Sequence, residues 1–135
     1  PKTPVQQINK MENDLAMDDL EIIIKVIVVG NGWVGKSSMI TWFAKNSYND
    51  EYKKTLGVDF LEKDKFIKEA GEEVKFHIWD TAGQEEYDAL TKKYYWGACC
   101  CILAYSTVDW KSFDDVLKWK KKVEDEVGKI PTILV

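Results

Sequence analysis

Gly30-Asn31-Gly32-Trp33-Val34-Gly35-Lys36-Ser37 decides the fold, because two glycines with four residues between them, followed by Lys-Ser, form a loop that wraps phosphate groups. Glycines at 30, 32 and 35 are expected to adopt backbone angles that a Cβ would forbid and to turn successive N–H groups toward anionic oxygens. A helix starting near Lys36 adds the positive end of its dipole. Lys36 can reach the β- and γ-phosphates, and Ser37 offers a hydroxyl to Mg²⁺, which favours hard oxygen ligands. The competing reading is a glycine-rich turn with an incidental lysine, and the context argues against it. Ile22–Val29 is an apolar, β-branched run broken only by Lys25, as a parallel strand covered on both faces requires, and residues 36–45 can form the helix.

Composition narrows the class further. The 135 residues are enough for one domain with a real core, and 45% apolar with 31% charged residues is ordinary for a soluble globular chain. A net charge of −4 without a basic stripe argues against nucleic acid as a partner. The sequence shows neither a run of transmembrane length nor a signal peptide, so a cytoplasmic location is expected. All 19 positive residues are lysine.

Cys99, Cys100 and Cys101 lie in an apolar run, where neighbours on a strand point to opposite sides and cannot bridge. They read as small core residues in a reducing compartment, against a metal site that lacks a second ligand pair. His77, the single histidine, reads as a strand residue on one face.

Along the chain, residues 1–20 carry two lysines against Glu12, Asp14, Asp18 and Asp19 with no apolar period, and are expected to form a flexible acidic arm. Residues 21–135 then form the structured domain. A polar loop spans 46–55. Strands are expected over about 56–67, 74–79 and 99–105, with a hairpin turn at Ala70-Gly71 between the first two. Partial helix is expected before Gly97. A helix carrying Trp110, Phe113, Val116, Leu117 and Val123 at near-helical spacing follows, then a strand opening at 132–135. Alternating strands and helices imply an α/β domain with a mostly parallel sheet covered on both faces, whose ligand binds beyond the strands' carboxyl ends. Gly30 and Asp80 both fall there.

Asp80, directly after a strand, supplies a carboxylate that can hold Mg²⁺ directly or through water. Gly83 gives a backbone N–H access to a γ-phosphate, Gln84 can orient a water through its carbonyl and amide, and Thr55 can add a second hydroxyl to the metal. Taken singly, each has a plainer reading as a turn or surface residue.

Together with Thr55-Leu56-Gly57-Val58-Asp59-Phe60, Trp79-Asp80-Thr81-Ala82-Gly83-Gln84-Glu85 and Tyr94-Tyr95-Trp96-Gly97-Ala98, the phosphate loop resembles the nucleotide and switch motifs of Ras-like small GTPases of the Rab family. The resemblance covers everything from Ile22 onward. Val29-Gly30-Asn31-Gly32, Tyr52-Lys53-Lys54-Thr55, Gln84-Glu85-Glu86 and Glu126-Val127-Gly128 look most like the Rab twenty-three branch.

It implies a P-loop NTPase of the small-GTPase fold, present here as its N-terminal part without the last strand and helices. GTP and GDP would be the bound nucleotides, with Mg²⁺ on Ser37, Thr55 and Asp80. Contacts would run along Asn31, Gly32, Trp33, Val34, Gly35, Lys36, Ser37 and Ser38, with Tyr48 packing on guanine, Tyr52 beside it, and Thr55, Asp80 and Gly83 at the phosphates. Gln84 and Lys36 would be catalytic. Loss of the γ-phosphate would release both switch loops.

Phe60, Trp79 and Tyr94 match the family's aromatic effector trio, although core packing is the equal alternative for Trp79. An activating protein, an exchange factor and effectors would be the partners, and membrane contact would come only through a prenylated C-terminal tail absent here. A cis arginine finger is impossible in a stretch without arginine. Slow turnover is therefore expected, on the scale known for Ras itself of about 10⁻⁴ s⁻¹, which a finger in trans raises up to ~10⁵-fold.

Three departures from the family pattern bear on specificity. Trp33 stands where a small residue is usual, Trp96 replaces an arginine, and Glu86 replaces a commoner basic residue. The chain also stops before the family's guanine-reading motif, so guanine is inferred from resemblance, and a fragment is expected rather than a complete product. A nucleotide-locked or non-hydrolysing interaction module of the same fold is the alternative function. A P-loop ATPase or kinase is more remote, since Thr81 rather than an acidic residue follows Asp80.

Overall fold

The computed structural model describes residues 3–7, 21–45, 58–81 and 92–135. β1 (Ile22–Val29) leads through the glycine loop into α1 (Lys36–Lys45), both with the bounds expected from the sequence. β2 (Val58–Ile67) and β3 (Glu72–Thr81) form the hairpin, a short 3-10 turn covers Lys92–Tyr95, and β4 is Cys100–Leu103. The chain continues through α2 (Trp110–Asp114), α3 (Val116–Val127) and β5 (Thr132–Leu134).

The five strands lie in the order β2-β3-β1-β4-β5, with β2 alone antiparallel to its neighbour. β1 is therefore central, and its alternating side chains feed two different cores. Ile27 and Val29 pack with Tyr95, Cys101, Leu103, Val116, Trp119 and Val123 beneath α3. Val26 and Val28 pack with Ile40 of α1 and Ile78 on the opposite face. That double burial accounts for the apolar run over Val26–Val29, whereas Ile22 and Ile23 at the start of the strand are exposed, so the expected cover on both faces reaches only its second half. The register pairs Val28 with Asp80 and Val29 with Leu103, which brings the carboxyl ends of β1, β3 and β4 to one edge.

Several expectations change. β2 ends at Ile67 as expected, whereas β3 runs further than the expected 74–79, because the exposed Glu72 and Glu73 pair with Ile67 and Phe66. Main-chain pairing near a tight turn needs no apolar side chain, and the turn closes with Gly71 N–H donating to Ile67 O at 2.9 Å. The expected single helix from Trp110 is interrupted at Asp115 (φ −82°, ψ −3°). Its buried stripe is Val116, Trp119 and Val123, whereas Trp110 and Leu117 are 74% and 75% exposed. Trp119, which the apolar spacing passed over, is the core residue.

The cysteines also divide. Cys101 is buried, Cys100 is half-buried and Cys99 is exposed, all three free thiols. Burial pushes the Cys101 thiol up to about 12. His77 lies in β3 with Nε2 3.3 Å from Glu62 Oε1 on β2 and its ring edge-on to Phe60.

Residues 4–7, inside the expected flexible arm, form one helical turn. It begins with a capping box in which Gln6 N–H donates to Thr3 Oγ1 at 3.3 Å and Thr3 N–H donates to Gln6 Oε1 at 3.1 Å. Pro4 takes the first helical position, where its missing N–H costs nothing. The rest of the arm lies outside the described residues. Among the described residues no helix is long and apolar enough to cross a membrane.

Candidate functional site

The loop leaves β1 at Gly30 with φ +148°, a region open to glycine. A Cβ there would sit 2.2 Å from Ala104 O. Ala104 cannot yield easily, because its N–H donates to Val29 O at 2.8 Å. The loop's other positive φ angles fall at Trp33 (+68°) and Gly35 (+91°). The expectation that Gly32 shares this role is thus corrected, since an indole-bearing residue takes the left-handed conformation instead. Trp33 is 69% exposed, so its bulk projects from the loop tip. Asn31, Gly32, Val34, Ser37 and Ser38 are half-buried and Gly35 is exposed.

Lys36 is buried, and its Nζ donates to Gly30 O at 3.0 Å and to Asn31 O at 2.8 Å. Desolvation pulls its pKa down to about 8, with Asp80 acting in the opposite direction. An anionic group at the loop mouth would favour the charged ammonium in the same way, and two carbonyl acceptors still leave it a third donor for one.

β3 delivers Asp80, 2% exposed, where Ser37 Oγ donates to its Oδ2. The next residue fixes that strand end: buried Thr81 donates its hydroxyl to Val28 O at 2.7 Å, tying β3 to β1. A hydroxyl and a carboxylate thereby meet beside the loop. This pair of hard oxygens suits Mg²⁺, which uses one or two protein ligands alongside phosphate oxygens and water.

The three aromatics form one stack across β2, β3 and the 3-10 turn. Phe60 and Trp79 have centroids 5.0 Å apart, and Trp79 and Tyr94 are 5.4 Å apart. Phe60 and Tyr94 are 42% and 40% exposed. Lys25 Nζ lies 4.4 Å from the Trp79 ring centroid and donates to Trp96 O at 2.7 Å.

Sequence reasoning missed one set of contacts. The Asn31 side chain donates to Asp115 Oδ2 at 2.8 Å and accepts from Trp119 Nε1 at 2.7 Å, across 84 and 88 residues of chain. Asp115 and Trp119 are one helical turn apart, which is the only local signal. The hydrogen bond from Asn31 holds the Asp115 carboxyl below the usual carboxylate range. Tyr48, Tyr52, Thr55, Gly83 and Gln84 lie outside the described residues.

Comparison with known proteins gives a consistent result. A family profile described as the Ras family matches residues 25–135. The Ras-related protein RABA1b of Arabidopsis thaliana is 40% identical over 118 residues, covering 87% of this chain and 53% of that protein. The Ras-related protein rab-11.1 of Caenorhabditis elegans is 36% identical over 118 residues, covering 87% of this chain and 55% of its own. The Ras-related protein YPTC6 of Chlamydomonas reinhardtii is 39% identical over 118 residues, with shares of 87% and 54%. The chain spans about half the length of these curated relatives.

Proposed function

The chain belongs to the Ras family of small GTPases, and from that premise we propose that it is a Rab-like GTP/GDP switch that hydrolyses GTP slowly and serves vesicle or ciliary membrane traffic. One observation carries the reading: Lys36, Ser37 and Asp80, drawn from the two strand ends that β1 and β3 share, converge at the loop.

In this reading the backbone N–H groups of 31–38 surround the phosphates, and Lys36 directs its remaining donor at the β- and γ-oxygens. Ser37 and Asp80, with Thr55, hold Mg²⁺, which when bound neutralises charge on those oxygens. Gly83 donates to the γ-phosphate, and Gln84 aligns the attacking water. Tyr48 packs on the guanine, with Tyr52 beside it. The exposed edges of Phe60 and Tyr94, with Trp79 between them, receive effectors. An activating protein supplies the cation that 135 residues without arginine do not. An exchange factor resets the switch, and a prenylated tail outside this chain brings it to the cytoplasmic face of a membrane.

Chromatography of nucleotide released on denaturation tests this directly. GDP or GTP is expected, whereas ADP, or a chain that retains no nucleotide, would overturn it. In a single-turnover assay Gln84→Leu should slow phosphate release further.

Trp33 favours a second reading, because an indole at the loop tip can block an incoming arginine finger and leave a nucleotide-locked module. Failure of the activating protein to accelerate wild type, with recovery in Trp33→Gly, would select it. Within the family we place the chain on the Rab twenty-three branch from the motifs at 29–32, 52–55, 84–86 and 126–128, and binding to that branch's effectors checks the placement.

A further inference from the structure

We infer that Asn31 is a positioning residue, and that Asp115 and Trp119 of the helical segment beneath the sheet use it to hold the phosphate loop in its nucleotide-retaining shape. The inference rests on the reading of 30–37 as a nucleotide site.

Asn31 sits where the loop has no sheet partner, just past Gly30, and its main-chain carbonyl is one of the two that receive Lys36 Nζ. The orientation of that carbonyl therefore helps to set where the ammonium points. Its side-chain amide has one accepting and one donating end. An indole N–H can only donate and an ionised carboxylate can only accept, so the partners leave the amide one orientation. Oδ1 accepts from Trp119 Nε1 at 2.7 Å, and Nδ2 donates to Asp115 Oδ2 at 2.8 Å.

Both partners are themselves held. Trp119 is 3% exposed within the core formed with Ile27, Val29 and Val123. Asp115 stands at the break between α2 and α3 and takes an ion pair from Lys111 at 3.2 Å. The loop is thus fastened to the packed core of the domain through one side chain. A loop so fastened needs less reordering when an anion enters, and loss of the fastening should appear as faster nucleotide release.

Swapping the chemistry of the pair gives the test. Wild type, Asn31→Asp, Asp115→Asn and the double variant are loaded with a fluorescent GDP analogue. Release is timed after addition of excess GDP, and urea unfolding is followed in parallel. Asn31→Asp sets two carboxylates against each other in place of a hydrogen bond, and release should accelerate by about tenfold or more. Asp115→Asn keeps an acceptor for the Asn31 amide, so its effect should be smaller.

In the double variant the carboxylate introduced at position 31 accepts both from Trp119 and from the amide introduced at position 115. Release should return to within about threefold of wild type, the rescue expected when two sites share one interaction. Normal release from Asn31→Asp with only its unfolding midpoint lowered, or a double variant no slower than Asn31→Asp, would overturn the inference while leaving the nucleotide site intact. A wild-type chain that retains no analogue would instead remove the site reading, and the inference with it.

Discussion

Replacing Gly30 with alanine should be among the most damaging single-methyl changes in this domain. The new Cβ would lie 2.2 Å from Ala104 O and 3.1 Å from its carbonyl carbon, well inside van der Waals contact. The obstacle is backbone, and it is tied into the ladder by the Ala104 N–H bond to Val29 O at 2.8 Å, so relief requires β1 and β4 to separate. Forcing a group into a packed site costs about 1–3 kcal/mol, and holding a non-glycine residue at φ +148° costs about another 1–3 kcal/mol. The expected loss is then roughly 2–6 kcal/mol, a large share of the ~5–15 kcal/mol that stabilises a typical domain.

Gly35→Ala is the internal control. It has φ +91° but nothing within 4 Å of the position its methyl would take, so it should lose only the conformational part, about 1–3 kcal/mol. Urea unfolding followed by tryptophan fluorescence and circular dichroism measures both, with midpoint and slope fitted together. A Gly30→Ala chain within about 1 kcal/mol of wild type, or one no less stable than Gly35→Ala, would refute the claim that contact with the backbone just past β4 makes this glycine necessary.

Three further outcomes are expected. Trp33→Gly should stabilise the chain by ~1 kcal/mol, because the left-handed angle of +68° strains a bulky residue; a lower urea midpoint would show that contacts of the indole outweigh the strain. Thiol labelling at pH 8, mapped by peptide mass, should proceed in the order Cys99, Cys100, Cys101, since burial raises the latter two thiols and brings Cys101 to about 12, leaving it almost no thiolate; equal rates at Cys99 and Cys101 would contradict this. Ser112→Ala should lose about 1–3 kcal/mol, because its buried hydroxyl donates to Asp109 O at 2.6 Å and accepts from Ser106 N–H at 2.9 Å; thermal unfolding unchanged from wild type would refute the role of these bonds.

How far the sequence could be read depended on which force set each feature. β1 and α1 are legible to the residue because an apolar run broken only by Lys25 and a glycine–lysine–serine loop are local signals, and the Ras-like family named from the further motifs at 55–60, 79–85 and 94–98 is the one the comparisons support. The alternation that separates Cys100 from Cys101 follows from strand geometry, yet an apolar run gives no sign of where the sheet's cover ends, and Cys99 lies beyond it.

Trp110 and Trp119 differ in the opposite way. Nine residues apart, they stand about two and a half helical turns from each other, so opposite faces are expected of them even in an unbroken helix; the break at Asp115 sits on a hydrogen bond to Asn31, 84 residues away. Such a tertiary contact leaves no pattern in a window of one helix. The φ of +68° at Trp33 was hidden for a related reason. Glycines on either side suggested that they would take every unusual angle, whereas the loop's closure assigned one to the residue between them.

The central position of β1, with its successive side chains committed to different cores, makes that strand a ruler for the chemistry at its end. One residue inserted between Ile22 and Ile27 would exchange the Ile27 and Val28 faces between two unlike interiors. It would also advance Gly30 by about 3.3 Å relative to Asp80, parting the Ser37 hydroxyl from its carboxylate. Length variation in descendants of this sequence should therefore be absent from 22–29 and gather in the segments between elements, because counting along one strand sets both the interior and the distance across the loop.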